Sequence, residues 1–259
     1  IMKVMLLLRD ENVKLNALVY AIERDQSLTV QLLKLVNSGF YGLRNTVDSV
    51  ERAVALLGIL NIKHLVYSAS IINFFSKDEQ EEWNHSYSSS VMMTNIIRDN
   101  ELCGVSNLPM AMLMHDIGKV VLRKFSPLKY QLAVKNSKEE QIPIFAIENG
   151  IFQITHAEAG ALLLEKWDSV PEIIKPILYH HDENVPPDFI FETALVQFVN
   201  WIDSSVRGIV CPPPTKELMA AAGIEEIDTG YWMNYQKNLI EAIDQGQAHS
   251  ARTEKLPET

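Results

Sequence analysis

Apolar residues recur with a helical period along nearly the whole chain, and no segment shows a persuasive strand alternation. In the segment 27–38, Leu28, Leu32, Leu35 and Val36 fall at i, i+4, i+7 and i+8 and form one apolar stripe. Hydrophobic residues make up 47% of the 259 positions, which is ample for a buried core. The sequence therefore predicts an all-α protein folded as one large domain.

Start and stop signals place several of these helices. Gly58 is expected to end one helix, and a second helix is expected over about 60–75. Thr155 and Glu158 have the spacing of a capping box, which places His156 at the first helical position. The positive end of the helix dipole is expected to favour a neutral imidazole there, and neutral imidazole is the form that binds metal.

Charge and composition exclude several classes of protein. The formal net charge is −10 and no basic run is present, which argues against nucleic acid and anionic membranes as partners. Apolar stretches such as 53–60 fall far short of the roughly 18 residues of a spanning helix. Cys103 and Cys211 lack CxxC spacing, so we expect no thiolate zinc site and a cytoplasmic setting. The opening "IMKVMLLL" looks like the middle of a helix, so we expect upstream trimming.

Titratable side chains cluster in apolar helical settings, where they need a compensating partner. Asp203 shares a helix face with Val196 and Val199, and an unpaired carboxylate there would cost roughly several kcal/mol. A cation bound between helices would pair these groups at once. Imidazole and carboxylate ligands without thiolate suit Zn, Mn, Fe, Co or Ni. The residues in such settings are His115, His156, His180, His181, Asp116 and Asp203.

Each of these features also has a plain structural interpretation. The pair His115 and Asp116 is weak evidence alone, because the dipeptide occurs by chance. His85 lies in a polar run and would by itself be taken as a solvated surface residue. The segment 35–42, "LVNSGFYG", is explained by helix capping and turn chemistry without a ligand.

Five segments, in this order, resemble the HDOD family, a signalling branch of the HD metal-dependent phosphohydrolase superfamily. They are "LLKLVNSGFYG", "SVERAVALLGILNIKHLV", "MLMHDIGKVVL", "HAEAGALLLEKW" and "ILYHHD", and the resemblance covers about residues 5–245. The first two segments separate this branch from ordinary HD enzymes. The resemblance implies an HD-like helical bundle with an additional N-terminal helical layer. We expect one HDOD domain over 1–259, with the layer at about 1–75 and the metal-site core and C-terminal helices at 76–259.

The resemblance also implies a ligand set for one or two divalent transition ions. A minimal mononuclear site would use His85, His115, Asp116 and Asp203. With His156 and either His180 or His181 added, Asp116 would bridge two ions, which is the preferred arrangement. Lys119 is placed as the motif lysine that contacts a phosphate oxygen, so Asp116 and Lys119 are the implied catalytic residues; a solvated surface lysine is the alternative. The full set of implied metal ligands is His85, His115, Asp116, His156, His180, His181 and Asp203.

Two functions remain open at this point. HDOD proteins are usually viewed as signalling modules that have lost parts of the site, and such a module would bind partner signalling proteins. This chain instead fills every ligand position, which favours a metal-dependent phosphohydrolase acting on a nucleotide or other phosphate ester. After "HHD" the chain runs "ENVPPDF" and lacks the Gly-Tyr-Pro signature of the cyclic-di-GMP phosphodiesterase branch, so that substrate is not assigned. Regulatory binding is the predicted function and hydrolysis is the alternative.

Overall fold

The computed structural model describes residues 4, 7, 14–37, 46–72 and 80–244. All regular secondary structure in these residues is helical, as the apolar period predicted. The α-helices are α1 (Leu15–Glu23), α2 (Gln26–Asn37), α3 (Val50–Ile72), α4 (Gln80–Asp99), α5 (Leu108–Met114), α6 (Ile117–Phe125), α7 (Pro127–Glu140), α8 (Ile144–Phe152), α9 (His156–Lys166), α10 (Pro171–Leu178), α11 (Ile190–Arg207), α12 (Lys216–Ala221) and α13 (Thr229–Asp244), with a 3₁₀ turn at Pro187–Phe189.

The first three helices pack on one another and form the predicted N-terminal layer, which contacts the rest of the molecule through α3 and α5. Leu28, Leu32 and Val36 on α2 are fully buried, which confirms their apolar stripe. The side chain of Leu35 lies outside the described part of the chain. The predicted boundary near 76–80 falls largely on 73–79, also outside it, so the division at about residue 75 stays a prediction.

Two polar or small residues shape this layer. Gly58 interrupts the helical path of α3 with φ 77° and ψ 163°, as its predicted role as a helix stop requires. The Asn37 amide donates to the carbonyl oxygens of Leu33 (2.9 Å) and Val47 (2.6 Å) and accepts from Val47 N (2.6 Å). Asn37 therefore has the structural role expected of it. Residues 38–45, which include the rest of that segment, lie outside the described chain.

One apolar core runs through the described residues from Val4 to Leu239. Helix α5 passes through it, and residues 108 and 110–114 are all buried. The helix contacts both α4 and α10. His115, the residue after its C-terminal end, therefore lies in the interior. No described helix is long and apolar enough to cross a membrane.

Helices α6 and α9 approach each other closely at Gly118. A Cβ atom added to Gly118 would lie 1.9 Å from the backbone oxygen of His156 and 2.7 Å from the backbone nitrogen of Gly160. Only glycine fits this crossing, because the atoms it meets belong to the backbone. The crossing places the start of α6, which follows Asp116, directly beside the start of α9 at His156.

Candidate metal centre

The carboxylate of Asp116 lies among five imidazole rings in the interior. His115 and Asp116 form the short connection between α5 and α6, so the buried course of α5 dictates the burial of both side chains. The five rings come from four different parts of the fold. His85 lies on α4, His115 ends α5, His156 begins α9, and His180 and His181 follow α10.

One group of donors faces oxygen Oδ2 of Asp116. The Nε2 atoms of His85 and His115 are 3.1 Å apart. They lie 3.5 Å and 3.4 Å, respectively, from Asp116 Oδ2. Helices α4 and α5 pack along their lengths, which brings the two rings together although they are 30 residues apart in sequence.

A second group of donors faces the other oxygen, Oδ1. His156 Nε2 lies 3.2 Å from Asp116 Oδ1, and His180 Nε2 lies 3.9 Å from it. The Nε2 atoms of His180 and His181 lie 3.3 Å and 3.1 Å from His156 Nε2. Both His180 and His181 were expected on a helix, but α10 ends at Leu178 and the turn that follows directs both rings inward.

The other ring nitrogen of four histidines is held from outside the centre. Carbonyl and carboxylate oxygens accept hydrogen bonds, so in the neutral form of each ring Nδ1 carries the proton and Nε2 presents its lone pair to a metal. The Nδ1 contacts are His85 to Asp203 Oδ1 (2.6 Å), His115 to Met112 O (2.7 Å), His156 to Glu148 Oε2 (2.6 Å) and His180 to Ile177 O (2.5 Å).

This donor set fits two divalent transition ions. Ligand atoms held about 2.1 Å from one ion are about 3.0–3.4 Å apart in octahedral or tetrahedral coordination. The donor atoms within the two groups lie 3.1–3.9 Å apart, close to that spacing. Neighbouring Nε2 lone pairs repel one another unless a proton or a cation lies between them. Asp116 Oδ1 is buried and accepts no well-aligned hydrogen bond from the described residues, so it too is available to a cation.

The protonation of most of these histidines also favours metal binding. Burial, assisted by the nearby His85 and opposed by Asp116, lowers the pKa of His115 to about 4. Burial, together with the neighbouring imidazoles, also holds the pKa values of His180 and His181 well below their usual range. These three rings are therefore neutral at pH 7, which is the state that coordinates a metal.

His156 differs from the expectation of a neutral ring at a helix start. Burial opposes its charged form, but the carboxylates of Glu148 and Asp116 together outweigh burial and raise the pKa of His156. The capping box itself is present: Glu158 N donates to Thr155 Oγ1 (3.3 Å) and Thr155 N donates to Glu158 Oε2 (2.7 Å). Sequence reasoning missed Glu148, although an acidic residue inside the apolar helix "IFAIENGIF" raises the same desolvation question that singled out Asp203.

Lys119 is part of the centre and is not the solvated surface lysine of the alternative interpretation. Its Nζ donates to Asp116 Oδ2 at 2.6 Å, and its side chain is only 15% exposed. Burial opposes the charge of each partner, yet the attraction of Asp116 and Glu82 raises the pKa of Lys119. Despite burial, the neighbouring His115 and Lys119 side chains hold the pKa of Asp116 well below its usual range.

Asp203 lies behind His85 and outside both donor groups. Its Oδ1 accepts from His85 Nδ1 and from Arg207 Nε, each at 2.6 Å. Its Oδ2 accepts from the Ser88 hydroxyl and the Gln236 amide. Because both oxygens are engaged, this geometry differs from the direct ligation that the resemblance implies. The Asp203 carboxylate contacts the His85 ring on its Nδ1 side.

A cavity of about 1140 Å³ opens onto the centre. His85, Asp116, Lys119 and His181 line one part of it, and Phe145, stacked on the His181 ring at 4.3 Å between centroids, lines another. Basic side chains are frequent in the lining although the whole chain is acidic. They are Lys119, Arg123, Lys124, Lys135, Lys138 and Arg207, against the acidic residues Glu81, Glu82 and Asp116.

Comparison with known proteins identifies the family and the fold of this chain. A model of the HDOD domain matches residues 1–183. The chain belongs to the HDOD family. An uncharacterized protein of Treponema pallidum is 25% identical over 206 residues, which are 74% of this chain and 39% of that protein. Protein YuxH of Bacillus subtilis, also uncharacterized, is 34% identical over 77 residues, which are 30% of this chain and 17% of that protein. The chain thus spans less than half the length of these relatives.

Solved structures share the fold over nearly all of the chain. A candidate phosphohydrolase from Shewanella amazonensis has a TM-score of 0.67 at 17% identity and covers 96% of this chain and 90% of its own. An HDOD protein of unknown function from Geobacter sulfurreducens has a TM-score of 0.62 at 22% identity, with coverages of 96% and 89%. A candidate signal transduction protein from Marinobacter aquaeolei has a TM-score of 0.65 at 19% identity, with coverages of 96% and 58%. These likenesses establish an HD-like helical fold.

Proposed function

We propose that this HDOD chain is a signal-transduction module that carries a two-ion metal centre of the HD type. One observation carries the proposal: four imidazole Nε2 atoms lie 3.2–3.9 Å from the two oxygens of one buried carboxylate, Asp116, and a fifth, that of His181, lies 3.1 Å from one of the four. Family membership supports the signalling role, with signalling proteins as partners. The free thiols Cys103 and Cys211 support a reducing, cytoplasmic setting.

The proposed ions are two divalent transition ions, of Fe, Mn, Zn, Co or Ni. His85 and His115 would hold one ion, the three histidines of the second group would hold the other, and Asp116 would bridge them. The family resemblance implies that Asp203 is a metal ligand, but we propose that it orients the ring of His85. The second group consists of His156, His180 and His181.

A second candidate function is hydrolysis of a nucleotide or other phosphate ester. The cavity favours it, because a basic lining in a chain of net charge −10 suits an anionic ligand. Bound ions would lower the pKa of a water molecule and stabilise the displacement at phosphorus. Lys119 would add a point charge for a phosphate oxygen, and Asp116 would fix the spacing of the ions.

The first experiment measures metal content by elemental analysis, in protein purified without a metal-affinity tag. We expect about two transition ions per chain in the wild type and far fewer in Asp116→Ala, because the bridge is lost. Asp188→Ala, which removes an exposed carboxylate in the 3₁₀ turn, is the matched control and should bind metal like the wild type. Absence of metal in the wild type, also after incubation with Mn²⁺ or Zn²⁺, would refute the proposed centre.

The second experiment separates the two functions. Metal-loaded wild type, Asp116→Ala and Asp188→Ala are assayed against a panel of nucleotides, cyclic nucleotides and simple phosphate esters. Release of phosphate by the wild type and the control, but not by Asp116→Ala, establishes hydrolysis. If the loaded wild type hydrolyses nothing, the signalling module remains as the function.

A further inference from the structure

Glu148 is fully buried and makes two contacts with one residue. Its Oε2 accepts hydrogen bonds from the backbone N of His156 (2.8 Å) and from the ring Nδ1 of His156 (2.6 Å). Both residues are 0% exposed. The backbone N–H at the first position of a helix has no partner within the helix, so Glu148 satisfies one of the free donors of α9. The same carboxylate oxygen therefore fixes the backbone and the ring together.

Burying the Glu148 carboxylate costs free energy, so its presence in the interior needs a specific explanation. Its second oxygen, Oε1, has no hydrogen-bond partner among the described residues. Burying a carboxylate is costly, and apolar replacement of a buried ion pair is often neutral or stabilising. Packing alone therefore gives no reason for glutamate at this position. The need to hold the ring of His156 in one direction and in one tautomer does explain a glutamate here.

The metal centre has the same construction on its other side. Asp203 holds Nδ1 of His85, in the first group, as Glu148 holds Nδ1 of His156, in the second. Each group thus has one buried carboxylate behind one of its rings. In metal sites such an outer carboxylate orients the ligand and increases its basicity.

We propose that Glu148 is a positioning residue that determines whether the second group of histidines binds its ion. The inference rests on the proposed two-ion centre and assigns a residue to it that touches no ion. Glu148 holds His156 with Nε2 toward Asp116 Oδ1. Without its charge the ring is free to rotate and to change tautomer, and the second ion is held less tightly.

The test uses Glu148→Gln, which keeps the size and one acceptor oxygen but removes the charge. Glu165→Gln is the matched control, since Glu165 is exposed on the same helix as His156. Metal-free proteins are titrated with Mn²⁺, with binding followed by calorimetry and electron paramagnetic resonance. Two ions bridged by one carboxylate are magnetically coupled, whereas a single bound ion shows the hyperfine pattern of isolated Mn²⁺.

In the wild type and in Glu165→Gln we expect two bound ions and a coupled spectrum. In Glu148→Gln we expect one ion bound as in the wild type, the second bound about 10–100-fold more weakly, and an isolated-ion spectrum at one equivalent. Two ions bound with wild-type affinity in Glu148→Gln would overturn the positioning role and leave the metal centre intact. A wild type that binds no Mn²⁺ or Zn²⁺ would overturn the centre itself, and this inference with it.

A double-mutant cycle with His156→Ala tests whether Glu148 acts through that ring. If it does, adding Glu148→Gln to His156→Ala causes no further loss of affinity for the second ion. A further loss equal to that in the wild-type background would contradict the proposal. The metal-free variants are also compared by circular dichroism. Loss of the helical fold in metal-free Glu148→Gln would assign the residue a purely structural role and overturn the inference.

Discussion

Substitution of Gly118 by alanine should damage both the fold and the metal centre through one contact. The added Cβ would lie 1.9 Å from His156 O, whereas Cβ contacts under 3.0 Å are essentially never found. Helices α6 and α9 must therefore separate by about 1 Å or more, because backbone atoms cannot rotate away. Because Asp116 and His156 lie at the starts of these two helices, the separation moves the two residues apart.

The consequence for metal binding follows from the donor spacing. Asp116 Oδ1 and His156 Nε2 are 3.2 Å apart, within the range of about 3.0–3.4 Å for two ligands of one ion. A shift of about 1 Å along this direction takes the pair outside that range. We expect Gly118→Ala to lose the second ion and to keep the first, whose histidines lie on α4 and α5.

The consequence for stability is that of overpacking. Overpacked cores lose about 1–3 kcal/mol, and a clash with backbone belongs at the upper end of that range. For a chain of this size the corresponding fall in melting temperature is about 6–12 °C at 3 kcal/mol. Thermal unfolding of the metal-free protein measures this, and metal titration measures the lost ion.

Gly150→Ala is the matched control, because Gly150 lies within α8 and an added Cβ there meets nothing within 4 Å. Alanine is the better helix former, so Gly150→Ala should be neutral or stabilising by up to about 1 kcal/mol. If Gly118→Ala melts like Gly150→Ala and still binds two ions, the close crossing of α6 and α9 does not set the geometry of the centre.

Three further outcomes are expected. Asn37→Ala should lower the free energy of unfolding by about 2–4 kcal/mol in urea unfolding, because it strands the backbone N–H and C=O of the buried Val47; a loss below about 0.5 kcal/mol would contradict that accounting. Thr155→Ala should cost about 1 kcal/mol by removing the capping box, and Thr155→Ser should restore most of it in the same assay. Removal of metal from the loaded protein by a chelator should lower its melting temperature, since an ion at 100 times its Kd stabilises by about 2.7 kcal/mol; an unchanged melting curve would argue against bound ions.

Much of the fold could be predicted from the sequence because its signals are local. The apolar stripe of α2, the break at Gly58 and the capping box at Thr155 each depend on residues within one or two helical turns. The same local reasoning extended the helix through His180 and His181, whereas α10 ends at Leu178. Both rings still point inward, because the turn after α10 packs on the core.

The partners of the site residues could not be predicted in the same way. His156 and Glu148 lie eight residues apart on different helices, and His85 and Asp203 lie 118 residues apart. Apolar surroundings indicate that a buried carboxylate needs a partner, but not whether the partner is an ion, a ring nitrogen or a guanidinium. The partners of Asp203 include a ring nitrogen of His85 and the guanidinium of Arg207, and both of its carboxylate oxygens accept hydrogen bonds.

The charges around the centre connect the proposed ions to the cavity. The negative charge of Asp203 is balanced by Arg207. The negative charge of Glu82 is balanced by Arg123, whose Nη2 lies 2.5 Å from Glu82 Oε1. Among the described residues, two divalent ions would then face Asp116 and Glu148 as the remaining buried anions, while Lys119 adds another positive charge. The buried residues thus leave a surplus of positive charge that a low-dielectric interior disfavours. An anionic ligand entering from the basic cavity would offset it, which favours a phosphate group as the chemistry that the loaded centre binds, whether this HDOD domain hydrolyses the ligand or responds to it.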